Sequence, residues 1–137
     1  MRHLIFEPSP RFPIAILIKP QQLRKADLEK HYITPTGLGK RMFIAFDLDY
    51  NGKKAPVSLQ KDYLSQVLPE LCNLRTEYIL CTDSAYFKTL TKKQKAEPYY
   101  GYVLPCAIPG FEHINVILCP NYGQLFYDPS VQGKIDL

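Results

Sequence analysis

The sequence predicts an α/β domain, a three-layer sandwich built on a central, largely parallel sheet. Three apolar-rich runs carry that reading: Ile14 to Ile18, Met42 to Leu48 and Glu77 to Cys81. Runs of this kind suit strands covered on both faces. Helix-forming residues follow each of them, and strand–helix units in succession imply right-handed parallel crossovers. A length of 137 residues with 46% hydrophobic content fits one core rather than two.

The opening, residues 1–13, holds Pro8, Pro10 and Pro13 and reads as an irregular arm, because each proline lacks an amide donor and biases its predecessor toward extended backbone. The single domain then runs from 14 to 128. After Lys19-Pro20, residues Gln21 to His31 read as a helix with Leu23, Ala26 and Leu28 as its apolar content. Thr34 to Gly39 holds the breakers of a loop, and Asp49-Tyr50-Asn51-Gly52 has turn chemistry. With Ser58 as N-cap, Leu59, Tyr63, Val67 and Leu71 recur every four residues, the best helical pattern in the chain, which Pro69 should kink or end near Leu68.

Thr82-Asp83-Ser84 offers caps for a short helix through Leu90. Further strand candidates are Tyr100 to Ile108, which Pro105 demotes to an edge, Ile114 to Cys119, and Gly123 to Tyr127. The tail, 129–137, ends on the apolar pair Ile135 and Leu137 and reads as the start of a linker into a longer polypeptide.

The charge balance, 17 Lys and Arg against 13 Asp and Glu, favours anionic partners only mildly. Cys72, Cys81, Cys106 and Cys119 form no CxxC pair and have no histidine at ligand spacing, so free thiols and a cytoplasmic location are expected. Ile14 to Ile18 is far short of the roughly 20 apolar residues of a membrane span, and no membrane partner is expected.

No catalytic motif stands out. Gly37 and Gly39 precede a strand rather than a helix, which argues against a phosphate-cradling loop. Ser84 lacks the glycines of a nucleophile elbow and reads as a cap. Asp47 and Asp49 point to one face but have no third carboxylate nearby, so neither a metal nor another cofactor is expected. The basic residues are clustered: Lys40-Arg41, Lys53-Lys54, and Lys88, Lys92, Lys93 and Lys95 at the end of the third helix. A helix dipole accounts for part of the last group. The alternative is contact with nucleic acid through Lys40, Arg41, Lys88, Lys92, Lys93, Lys95, Tyr99 and Asn121, with loops at one edge of the sheet pooling the charge and Tyr86, Phe87, Tyr99 and Tyr100 stacking on bases.

The strings Glu77-Tyr78-Ile79-Leu80-Cys81-Thr82-Asp83-Ser84-Ala85-Tyr86-Phe87-Lys88-Thr89-Leu90-Thr91, Gly101-Tyr102-Val103-Leu104-Pro105-Cys106 and Asn121-Tyr122-Gly123-Gln124-Leu125-Phe126-Tyr127-Asp128-Pro129 resemble the region upstream of the exonuclease domain in tailed-bacteriophage family A DNA polymerases. The similarity extends from about Ile14 to the end. It implies a non-catalytic accessory domain that contacts DNA or a replication partner. A weaker resemblance is to the uracil-DNA glycosylase fold, in which a helix, a buried strand and a second helix precede a His-Pro-Ser-like loop. Asn121-Tyr122-Gly123 stands at that loop, and Lys19-Pro20-Gln21-Gln22 stands where that family carries its water-activating acid. The resemblance therefore implies a retained fold and a lost reaction, since base excision needs a positioned water and a donor to the leaving base. The competing readings are a divergent active DNA glycosylase and a free-standing phage interaction protein.

Overall fold

A computed structural model describes residues 1–126 of the chain. The strands are β1 (His3–Ile5), β2 (Ile14–Ile18), β3 (Phe43–Asp47), β4 (Tyr78–Cys81), β5 (Val103–Pro105) and β6 (Asn115–Leu118). They form one six-stranded sheet in the order β1-β3-β2-β4-β6-β5. The inner four are parallel, and β1 and β5 add on antiparallel at the two edges. All five residues of β2 are buried, as expected of a strand with neighbours on both sides and cover on both faces.

Alternation along the strands divides the core in two. Ala15, Leu17, Ile44, Phe46, Ile79, Val116 and Leu118 face α2 (Val57–Asn73) and α3 (Ser84–Thr91), meeting Tyr63, Leu64, Val67, Leu68, Tyr86, Phe87 and Leu90. Ile14, Ile16, Ile18, Phe43, Ala45 and Leu80 face the other way, against Leu28, Tyr32 and Ile33. Helical segments thus cover both faces of a mixed sheet, an arrangement compatible with a three-layer sandwich.

Several elements differ from the sequence expectation. Residues 1–13 are not wholly irregular. β1 fills the free edge of β3, and the Arg2 amide and Nε reach the Asp47 carboxylate at 2.6 and 3.1 Å. The helix expected over Gln21 to His31 is broken into a 3-10 turn (Pro20–Gln22), α1 (Lys25–Leu28) and a wide π turn (Glu29–Ile33). Arg24 is extended, with φ −126° and ψ 123°, so the first turn cannot continue. The π turn brings Tyr32 and Ile33 onto the sheet, while Ala26 stays exposed. A 3-10 turn at Thr34–Thr36 and Gly37, at φ +73°, occupy the expected loop.

Of the two outcomes expected at Pro69, the end of α2 near Leu68 does not occur, since the helix runs to Asn73. Pro69 is exposed, and the face formed by Leu64, Val67, Leu68 and Leu71 is buried. Burying those four side chains is worth about 1.5–3 kcal/mol each, which outweighs the roughly 3 kcal/mol cost of an interior proline. Pro56, not Ser58, precedes the first turn. The strand expected over Gly123 to Tyr127 is instead a 3-10 helix, Tyr122–Phe126, with Tyr127 outside the described residues. Pro120 gives that segment no donor with which to extend β6. Tyr100 to Ile108 contracts to β5, an edge strand as Pro105 requires. All four cysteines are free; Cys81, Cys106 and Cys119 are buried and Cys72 is partly so. No helix among the described residues is long and apolar enough to cross a membrane.

Candidate functional site

The chain leaves β2 toward β3 on one side and leaves β4 toward β6 on the other. Loops from two adjacent parallel strands therefore diverge, and such a switch point opens a crevice at the strands' carboxyl ends. A cleft of about 700 Å³ lies there. Lys19 and Gln22 reach it from the end of β2, Tyr50 and Lys53 from beyond β3, Thr82 to Ala85 from the β4–α3 junction, and Asn121 from beyond β6.

Its walls are tied together by hydrogen bonds between segments far apart in sequence. Gln22 and Asn121 form a reciprocal amide pair: each side-chain NH₂ donates to the other's carbonyl oxygen at 2.6 Å. The Gly123 amide also donates to Asn121 Oδ1, at 2.8 Å. A Cβ at position 123 would stand 2.9 Å from Gln22 Nε2 and 3.0 Å from Asn121 Oδ1, so any side chain there would push the amide pair aside. The loop beyond β6 is held from below by Tyr32. Its hydroxyl donates to the Pro120 carbonyl at 2.8 Å and accepts from the Tyr122 amide at 2.9 Å.

Asp83 organises the opposite wall. Asp83, not Ser84, is the N-cap of α3, whose first residue is Ser84; Asp83 accepts the Tyr86 amide at 3.0 Å, which satisfies one of the free donors of the first turn. Its other oxygen accepts the Tyr50 hydroxyl. Lys19 Nζ sits 5.8 Å from the centre of the Tyr50 ring, within cation–π range. Thr82 donates to the Leu17 carbonyl at 2.8 Å and so locks the end of β4 to the end of β2. Asp83 is the one carboxylate among the described residues that line the cleft, and both of its oxygens are engaged.

Burial raises the Tyr32, Tyr50, Tyr63 and Tyr86 phenols above their ordinary value, and at Tyr50 the hydrogen bond and negative charge of Asp83 add to it. A phenol whose folded pKa exceeds its unfolded one holds its proton more tightly in the folded state. Its stabilisation is complete below the unfolded value, about 10, and is lost as pH rises through the window above it. The urea midpoint is therefore expected to fall steeply above about pH 10. Tyr50→Phe should make that fall shallower, and an unchanged profile would remove Tyr50 from the account.

The residues expected to contact nucleic acid are not gathered at this cleft. Of that set only Asn121 and Tyr100 are among its lining residues. Lys40 and Arg41 precede β3, at the opposite end of the strand, and Lys40 pairs with Glu29 at 3.5 Å. Lys88, Lys92, Lys93 and Lys95 are exposed along and beyond the end of α3, on the other face of the sheet from the 25–33 segment, so the two basic groups are not pooled. Tyr99 packs on Phe87 and lies under Lys93 Nζ at 5.4 Å, while Tyr86 and Phe87 are fully buried and cannot stack on a base. Sequence reasoning did not assign Lys19, Gln22 or Tyr50 to a binding site, and it saw Lys53 only as part of one of the basic clusters whose charge the loops would pool. Their shared signal is position, just past the carboxyl end of a strand. Among the described residues no group of three or more His, Cys, Asp or Glu is placed to hold a metal. No family model matches this chain, and no curated protein is similar to it.

Proposed function

We propose that this chain is a non-catalytic accessory domain of a phage replicative DNA polymerase, which holds a DNA strand weakly at the cleft over the carboxyl ends of β2, β3, β4 and β6. The Gln22–Asn121 amide pair carries the reading. It joins the two loops at which a glycosylase would set its water-activating acid and its donor to the leaving base. Here the first loop supplies Lys19 and Gln22, and the Asn121 amide is already satisfied by a partner. Among the described lining residues no free carboxylate is left to activate water. What remains suits holding: Lys19 and Lys53 offer charge to a phosphate, Tyr50 and Tyr100 offer ring faces, and polar side chains line the floor. The polymerase assignment itself rests on the sequence strings from Glu77 to Pro129.

The test uses the full chain with uracil-containing single- and double-stranded oligodeoxynucleotides. No uracil release above a buffer blank is expected. Release that Asn121→Ala abolishes would install the active glycosylase instead. Anisotropy should show weak, salt-dependent binding to the single strand, with Lys19→Ala and Lys53→Ala each reducing the log–log salt slope by about 0.7. The triple Ala substitution of Lys92, Lys93 and Lys95 should leave the slope in place. The reverse pattern would move the DNA contact to the end of α3, and no binding at low salt would remove DNA as the ligand.

A further inference from the structure

A second concavity, about 450 Å³, lies away from the cleft, between α2, the end of α3 and the turn at 108–111. Leu64, Leu68, Ile108 and Phe111 give it an apolar lining, with the exposed Lys61 contributed by α2 and the exposed Lys92 by the end of α3. Neither lysine makes an ion pair with a described residue. The turn is fixed to α3, since the Ala107 amide donates to the Leu90 carbonyl at 2.8 Å. Glu112, the acid adjoining this lining, is folded back on its own turn, accepting the Gly110 amide at 2.7 Å. Lys92 is held in place by the backbone, which closes α3 there in the left-handed region at φ 56°.

We infer that this groove docks an acidic peptide segment of a partner protein, one that presents an apolar anchor flanked by carboxylates. An apolar side chain in a preformed pocket supplies binding energy, and opposite charges beside it supply orientation and rate. Nucleic acid fits the same groove poorly. Phosphates would satisfy Lys61 and Lys92, but the apolar lining is aliphatic apart from the partly buried Phe111, and single strands are held by stacking as well as charge. Lys92, which the sequence grouped with DNA contacts, thereby takes a different role from Lys19 and Lys53. The inference does not depend on the cleft's function.

The probe is a short fluorescent peptide with a Leu-Phe pair between runs of aspartate, titrated with the full chain. Saturable binding is expected, weakened about tenfold by the double reversal Lys61→Glu with Lys92→Glu. Lys30→Glu, an exposed reversal on the other face of the sheet, should leave it unchanged. Replacing the Leu-Phe pair by serines should abolish binding, as should Ile108→Ser in the protein. Amide shifts on peptide addition should map to Leu64, Thr89 and Phe111. No saturation, equal binding of the serine peptide, indifference to the double reversal, or displacement by a single-stranded oligodeoxynucleotide would each overturn the proposal.

Discussion

Leu17→Ala is expected to lower the unfolding free energy by about 2–5 kcal/mol. Leu17 is fully buried in β2, paired with Phe46 of β3 on one side and Cys81 of β4 on the other, and its side chain enters the layer beneath α2 and α3. No loop can collapse into the space left behind, because two strands in fixed register hold the backbone around it. Domains of this size are stable by about 5–15 kcal/mol, so the loss is a large share of the total. Urea denaturation should show the midpoint falling at unchanged slope. Val57→Ala, at a side chain 56% exposed, is the control and should stay within about 0.5 kcal/mol of the parent. If Leu17→Ala matched that control, β2 would not be the centre of the core.

Asp83→Ala should cost about 2 kcal/mol, more than an ordinary helix cap. Loss of the cap alone costs about 1 kcal/mol. The same change strips the Tyr50 hydroxyl of its acceptor, and a donor left unsatisfied costs about 1–3 kcal/mol, with the lower end fitting the half-buried Tyr50. Asp83→Asn keeps one oxygen for the N-cap but puts an NH₂ donor where the Tyr50 hydroxyl needs an acceptor, and should recover the cap's share of the loss only. In the Tyr50→Phe background Asp83→Ala should cost only the cap, so a double-mutant cycle reads the Tyr50 bond directly. Strictly additive effects would show that Tyr50 and Asp83 are not coupled and that this wall of the cleft is not built as described.

Much of the sheet was legible in the sequence, and the reason is local. A strand covered on both faces has little choice but to be apolar, so Ile14–Ile18, Phe43–Asp47, Tyr78–Cys81 and Asn115–Leu118 announced themselves. Edge strands lack that constraint. β1, with His3 and Ile5 exposed, has no pattern that separates it from an arm, and only the open edge of β3 makes it a strand. The 25–33 segment failed for a different reason. Its helix formers are real, but the sheet surface demands Tyr32 and Ile33 together, and a π turn presents adjacent residues that an even helix would not. Pro69 shows the same override in α2, where tertiary burial outweighed a local breaker.

The candidate site divides along the same line. Clusters of lysine are contiguous and therefore visible in a sequence, yet contiguity says nothing of what they face; Lys40 and Lys92 ended on different faces of the sheet. Asn121, expected from the sequence to contact nucleic acid, does line the cleft, but its partner Gln22 lies 99 positions away. By itself the sequence determined the buried strands, the amphipathic face of α2 and the cap of α3, because burial period and capping chemistry act within a few residues. Only the tertiary structure decided where the chain reverses direction across the sheet. That reversal gathers the ends of four strands, each carrying polar residues ordinary in isolation, around one cleft.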